Sequence, residues 1–134
     1  MSPAAPRVRL LGLPTDAHSS FLRGAAAGPA DRFGVEAIEM RSFRPGRVPI
    51  PSAPLYISID LDGFDPAFAP GVAHHQPGGP SVRDFLQVLQ RVPGGMIGAD
   101  IVELNPARDV NGVTATLAAK LVKELASLVP GARS

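Results

Sequence analysis

The 134-residue chain has no cysteine, no tryptophan and a single tyrosine, Tyr56. Without cysteine there can be no disulfide and no thiolate metal or redox site, a composition that suits a cytosolic protein. Long apolar runs are also missing, and none approaches the roughly 18 residues that mark a membrane span. Met1–Pro6 holds no apolar segment of the signal-peptide kind. Charge of one sign is lacking as well. The formal net charge is +1, and the basic residues are scattered, which predicts neither a nucleic-acid nor a membrane partner. What the chain does have is 15 prolines, 14 glycines and a 45% hydrophobic content. That hydrophobic content argues against disorder, and the length allows one domain at most.

The chemistry concentrates in Tyr56-Ile57-Ser58-Ile59-Asp60-Leu61-Asp62-Gly63-Phe64-Asp65-Pro66. A short apolar run rich in β-branched residues predicts a buried strand, and Gly63 with Asp65-Pro66 predicts the turn that ends it. Asp60 and Asp62 are two apart, so on an extended chain their side chains leave the same face. Neighbouring carboxylates repel unless they share a proton or a cation, and hard divalent metals favour such oxygen ligands. The competing reading is that both carboxylates merely cap neighbouring turns. An EF-hand fails on spacing, because its twelfth loop position would be Gly71 instead of glutamate.

Along the rest of the chain, Arg7–Leu13 reads as a first strand and Gly34–Met40 as a half-buried one. Arg41–Pro54 is a basic connector whose four prolines (45, 49, 51 and 54) forbid a regular helix or a central strand. Ser81 with Asp84 reads as a helix N-cap, followed by one apolar stripe of Val82, Phe85, Leu86, Leu89 and Val92. Met96–Leu104 is a further strand. A last helix carries Leu117, Ala118, Leu121, Val122, Leu125, Leu128 and Val129 inward, and Pro130-Gly131 stops it. Strand, helix, strand, helix at this spacing predicts βαβ units and a parallel sheet.

The run SIDLDGFDPAFAPGVAHHQPGG closely resembles the signature of the ureohydrolases, the arginase and agmatinase family, with its S-x-D-x-D-x-x-D-P and its loop ending in P-x-G-G. The later Asp100-Ile101-Val102-Glu103-Leu104-Asn105-Pro106 resembles the family's D-x-x-E-x-N-P. The resemblance implies a three-layer αβα fold with a parallel sheet, here a partial version of the arginase-type fold. It implies two Mn²⁺ ions and hydrolysis of an agmatine-like guanidino compound to urea and an amine by metal-activated hydroxide. Asp60 and Asp62 would be metal ligands, Glu103 would face the substrate guanidinium, and His74 would contact substrate or move protons. His75 reads as an exposed loop residue, and Asp100 as a support or cap. Homo-oligomers are common in the family.

Other parts of the family pattern are absent. Asp16-Ala17-His18 resembles the metal-binding D-A-H-x-D, but Ser20 stands at its fifth position, so this stretch reads as a polar loop. No G-G-D-H occurs. Residues 1–33 resemble the family's beginning and residues 34–134 its end, so an internal deletion with a junction near Phe33-Gly34 is expected within one incomplete domain. Such a chain is expected to bind one divalent ion weakly and, alone, to release little or no urea. It would then be an inactive remnant or a partner-dependent metal-binding module. Asp-x-Asp-Gly after an apolar strand also resembles the first motif of haloacid-dehalogenase-type phosphatases. That pattern calls for Thr or Val where Phe64 stands and leaves the FDPAFAPG loop unexplained.

Overall fold

The computed structural model describes residues 11–12, 36–52 and 54–131. Asp16, His18 and the Phe33-Gly34 junction lie outside them. Two short strands, β1 (Leu11–Gly12) and β2 (Glu36–Ala37), pair in parallel. The half-buried strand expected over Gly34–Met40 is thus two residues long among the described residues, and its end is already a 3-10 turn at Met40–Ser42.

The sheet that carries the chemistry is β3 (Leu55–Asp60) beside β4 (Met96–Val102), parallel as the βαβ spacing predicts. Their register runs from Tyr56 opposite Gly98 to Asp60 opposite Val102, with an irregularity at Leu55/Tyr56. Gly98 answers to the tyrosine across from it. A Cβ there would lie 2.8 Å from the Tyr56 ring, so only glycine lets the ring lie over the neighbouring strand.

Between the strands runs α1 (Val82–Gln90). Its start is a full capping box: Ser81 Oγ accepts from the Asp84 N–H at 3.1 Å, and Asp84 Oδ2 accepts from the Ser81 N–H at 3.2 Å. Two orphan donors of the first turn are satisfied this way. After β4 comes α2 (Val113–Ala126), which starts four residues before the apolar stripe suggested. Its first turn is held by Asp109, whose carboxylate accepts from the Thr114 N–H at 2.8 Å and the Ala115 N–H at 2.9 Å. Asn111 and Gly112 ahead of it take left-handed φ values of 55° and 68°.

The core gathers Ile59, Leu61, Phe64, Ala69 and Val72 from the signature segment, Leu86, Leu89 and Val92 from α1 and its end, Met96 from β4, and Leu117, Leu121, Leu125 and Leu128 from α2 and its end. Phe64 meets Phe85 edge to face at 5.1 Å between ring centroids. Two members of the expected stripe of α2 do not belong to it: Val122 is 57% exposed, and Val129, beyond the helix end, is 44% exposed. The connector contributes more than a link. Phe43 and Val48 are buried, and Arg91 at the end of α1 donates to the carbonyls of Pro45 and Val48 at 2.6 and 2.8 Å. Both helices cover the face of the sheet that carries Ile57 and Ile59. On the other face Tyr56, Ser58 and Asp60 stay exposed. No helix among the described residues is long and apolar enough to cross a membrane.

Candidate functional site

Strand β3 stops at Asp60, and the chain turns at once into a 3-10 turn, Leu61–Gly63. Leu61 drives the turn, since its side chain is fully buried, a contribution of about 2 kcal/mol. Asp60 completes it, accepting from the Asp62 N–H through Oδ1 at 2.8 Å. The two carboxylates are therefore not related by strand alternation, as the i, i+2 spacing suggested. One caps the turn that presents the other. Asp60 as a residue is exposed, yet the chain around its carboxyl displaces enough water to raise its pKa. Burial is the largest cause; the Asp62 N–H opposes it, the Asp62 charge adds to it, and His74 opposes it.

Asp62 sits deeper. Its side chain is 15% exposed, and Oδ2 lies 3.3 Å from Nδ1 of His74. Its other oxygen, Oδ1, is buried and has no hydrogen-bond partner. Leaving a buried acceptor unsatisfied costs about 1–3 kcal/mol, so a cation beside it would remove a standing penalty.

Glu103 reaches the same place by backbone distortion. Directly after β4 it takes φ 69°, a left-handed conformation uncommon for a residue with a side chain. Ligand atoms of Asp62, His74 and Glu103 all lie within 4.8 Å of one another. The ends of β3 and β4 and the loop of His74 thus bring Asp62, Glu103 and His74 together, with Asp60 capping the turn that carries Asp62.

The loop between the two signature halves is closed by its glycines. Gly78 has φ +92°, and a Cβ on Gly79 would lie 2.4 Å from the Gly63 carbonyl oxygen and 2.7 Å from the Asp65 nitrogen. The final glycine pair is therefore pressed against the turn that carries Asp62. Asp65 ties the loop from inside, accepting from the Ala67 and Gly78 N–H groups at 2.9 and 2.8 Å, and these bonds hold its carboxyl below the usual range.

Two further links fix this loop to the segment after Glu103. The Asn105 N–H donates to the Gly71 carbonyl at 2.8 Å, and Arg108 donates to the Ala73 carbonyl, next to His74, at 3.2 Å. Thr114 Oγ1 accepts from the Gly71 N–H at 2.7 Å. His75 turns away, its Nε2 lying 2.9 Å from the Pro70 carbonyl oxygen.

Asp100 is not in the cluster. It accepts from Ser58 Oγ at 2.5 Å and Tyr56 OH at 2.8 Å on the open sheet face. Those bonds, Ser58 first, hold its carboxyl low, while Asp100 raises the Tyr56 phenol. Sequence reasoning missed Arg108, Asp109 and the Tyr56–Ser58 pair. The signal for the first two stood in the run Asn105-Pro106-Ala107-Arg108-Asp109, where polar residues follow a turn.

Carboxylates and an imidazole collected at the carboxyl ends of parallel strands define an α/β protein with a site suited to a divalent cation. The arginase family profile matches residues 30–127. The chain is 52% identical over 106 residues to a mitochondrial arginase 1 of Arabidopsis thaliana, covering 73% of this chain and 31% of that protein. It is 39% identical over 82 residues to a mitochondrial agmatinase of Gallus gallus, covering 60% of this chain and 24% of that protein. The solved arginase of Medicago truncatula superposes with a TM-score of 0.71 at 43% identity, covering 79% of this chain and 36% of that one. The chain belongs to the arginase family, and its fold is a partial arginase-type α/β fold. It spans about a third of the length of the curated arginase it matches.

Proposed function

We propose that this chain carries the divalent-cation and guanidino-binding part of a manganese-dependent ureohydrolase site. The reaction such a site serves is hydrolysis of an arginine- or agmatine-like compound to urea and an amine. The observation that carries the proposal is Asp62. One of its carboxylate oxygens is buried without a partner, and ligand atoms of Asp62, of an imidazole and of a second carboxylate lie within 4.8 Å of one another.

Asp62 and Asp60 would hold the cation. Glu103, at the carboxyl end of β4, would take the planar guanidinium through paired N–H donors, and His74 would hold or accept a proton beside it. Manganese, when bound, supplies Lewis acidity that lowers the pKa of water. The chain's own part is to orient: the glycine loop fixes the turn of Asp62, and Arg108 with Asn105 fixes the loop of His74. Residues 1–33 would stand for the family's first segment and residues 34–134 for its last. The identities, higher with arginase than with agmatinase, favour an arginine-type substrate within the guanidino class.

The family's histidine-rich metal motifs are not in this sequence, so one weakly held ion and little or no urea release are expected of the chain alone. Calorimetric titration with MnCl₂, followed by urea assays on arginine, agmatine and guanidinobutyrate, tests both parts. Saturable Mn²⁺ binding without turnover supports the proposal. Absence of Mn²⁺ binding, or turnover at the pace of ordinary enzymes (about 1–10³ per second), overturns it.

A further inference from the structure

We infer that Thr114, at the start of α2, is a positioning residue. Its buried hydroxyl couples the first turn of that helix to the loop of His74, so that the turn is most ordered when the cation is bound. The inference rests on the cation-binding proposal above and extends it to a contact outside the ligand cluster.

Thr114 is fully buried, and no other polar or charged residue is buried among the described residues. A hydroxyl kept from water must spend its proton and its lone pairs inside the protein. Thr114 Oγ1 accepts from the Gly71 N–H at 2.7 Å. Partial burial would raise the Asp109 carboxyl, but the Thr114 and Ala115 N–H groups and the Thr114 hydroxyl hold it below the usual range. One hydroxyl thus receives from the loop and gives to the cap of the helix.

The helix depends on that cap. Gly112, at the N-cap position, has no side chain to offer, so donors of the first turn go to Asp109, Thr114 at 2.8 Å and Ala115 at 2.9 Å. Gly71 lies directly against this arrangement: a Cβ there would stand 2.6 Å from Asp109 Cβ and 2.8 Å from Thr114 Oγ1. The Gly71 carbonyl is taken as well, by the Asn105 N–H at 2.8 Å. Gly71 is therefore gripped from both sides, by α2 and by the segment after Glu103. His74 follows in the same loop, with its ring 3.3 Å from Asp62.

Fraying of the first turn of α2 would withdraw Thr114 from Gly71. That would leave a buried N–H without a partner and release the stretch that carries His74. Coupling of this kind is reciprocal, so an ion that holds His74 beside Asp62 also holds the first turn of α2 closed. Valine at position 114 would fill the same space and break the link.

The test is hydrogen–deuterium exchange of the full chain, read amide by amide by mass spectrometry. It is run in EDTA and in MnCl₂ at a hundred times the dissociation constant, which calorimetry supplies. The proteins are wild type, Thr114→Val and Thr114→Ser, each checked by far-UV circular dichroism. In wild type, Mn²⁺ should slow exchange at the Gly71, Thr114 and Ala115 amides at least about tenfold, towards the roughly hundredfold that linkage allows. The Arg91 and Val92 amides, just past the end of α1, should not respond. Thr114→Val should bind Mn²⁺ about tenfold more weakly and, once saturated, gain no protection at positions 114 and 115. Thr114→Ser keeps the hydroxyl and should behave as wild type.

A wild type that binds Mn²⁺ without added protection at 114 and 115 overturns the inference and leaves the cation-binding proposal standing; this comparison needs no variant. Thr114→Val that matches wild type in affinity and protection overturns the inference too, as does Thr114→Ser that behaves as Thr114→Val does. Wild type that binds no Mn²⁺ overturns both.

Discussion

Asp62→Ala should change the sign of its effect on stability when Mn²⁺ is added. In the metal-free chain, Asp62 buries Oδ1 without a partner, which costs about 1–3 kcal/mol. Against this stands the 3.3 Å contact of Oδ2 with a His74 side chain that is 80% exposed. An ion pair with so exposed a partner contributes about 0–1 kcal/mol. The hydrogen bond to Asp60 comes from the Asp62 main chain, so alanine keeps it. Removing the carboxylate should therefore leave the metal-free chain equally stable or stabilise it by about 1 kcal/mol. With Mn²⁺ at a hundred times its dissociation constant, wild type gains about 2.7 kcal/mol, and the variant gains nearly nothing. The assay is thermal unfolding by circular dichroism in EDTA and again in MnCl₂. At roughly 4 °C per kcal/mol for a domain of this size, the variant should melt level with or above wild type in EDTA and several degrees below it in Mn²⁺. A variant that loses more than about 2 kcal/mol in EDTA would show that Asp62 is an ordinary satisfied buried group. Equal Mn²⁺ stabilisation of both proteins would show that the ion binds elsewhere. Either result refutes the reasoning.

Leu121→Ala removes a fully buried core side chain of α2 and should cost about 2–5 kcal/mol in urea unfolding, whereas Val122→Ala, at a 57% exposed position, should cost far less. Gly79→Ala places a methyl 2.4 Å from the Gly63 carbonyl oxygen, a backbone collision that no side-chain rotation relieves, and should weaken Mn²⁺ binding by moving the turn of Asp62; unchanged affinity would remove the loop from the account. Asp100 has a lowered pKa through Ser58 and Tyr56, so its contribution to stability is present above the unfolded-state value and is lost as pH falls through the folded one. Acid unfolding of the double variant Ser58→Ala with Tyr56→Phe should therefore lack that component, and proton NMR should show the Asp100 titration moved upward. Asp60 has the opposite shift: its contribution is full below the unfolded-state value and fades as pH rises through the folded one, and an upward carboxyl titration in metal-free protein checks it.

The elements that the sequence made legible are those set by local pattern. The capping residues Ser81 and Asp84 and the stripe from Val82 to Val92 described α1 almost to the residue, because N–H capping and one-sided burial act within a few turns. The parallel pairing of β3 with β4 followed from connection rules alone. Where distant residues decide, the reading fell short. The start of α2 moved forward to Val113 because Asp109 reaches into its first turn. Val122 stayed outside because no described element covers that side of the helix. Phe43 and Val48 joined the buried set because Arg91 straps their segment down, a contact made across more than forty residues of chain.

The same division runs through the site. Residue types and spacing singled out Asp60, Asp62, Glu103 and His74, but strand alternation does not relate the first two, because Asp62 lies in the turn after β3. Alternation holds only while the chain stays extended, and here extension ends at Asp60 because Leu61 is drawn into the core. In a 3-10 turn successive residues are separated by a third of a revolution, so a two-residue step no longer returns to the same face. Asp60 becomes the cap of the turn as well as a ligand candidate beside Asp62, and Glu103 and His74 come close from the segment after β4 and from the glycine loop. In this chain the Asp-x-Asp motif takes the turn, with the fully buried Leu61 between the acids. Replacing Leu61 with a residue content to face solvent, such as Thr, removes the force that ends the strand. The turn should then open, the Asp60–Asp62 bond should lengthen, and calorimetric titration should show weaker Mn²⁺ binding as the two carboxylates part.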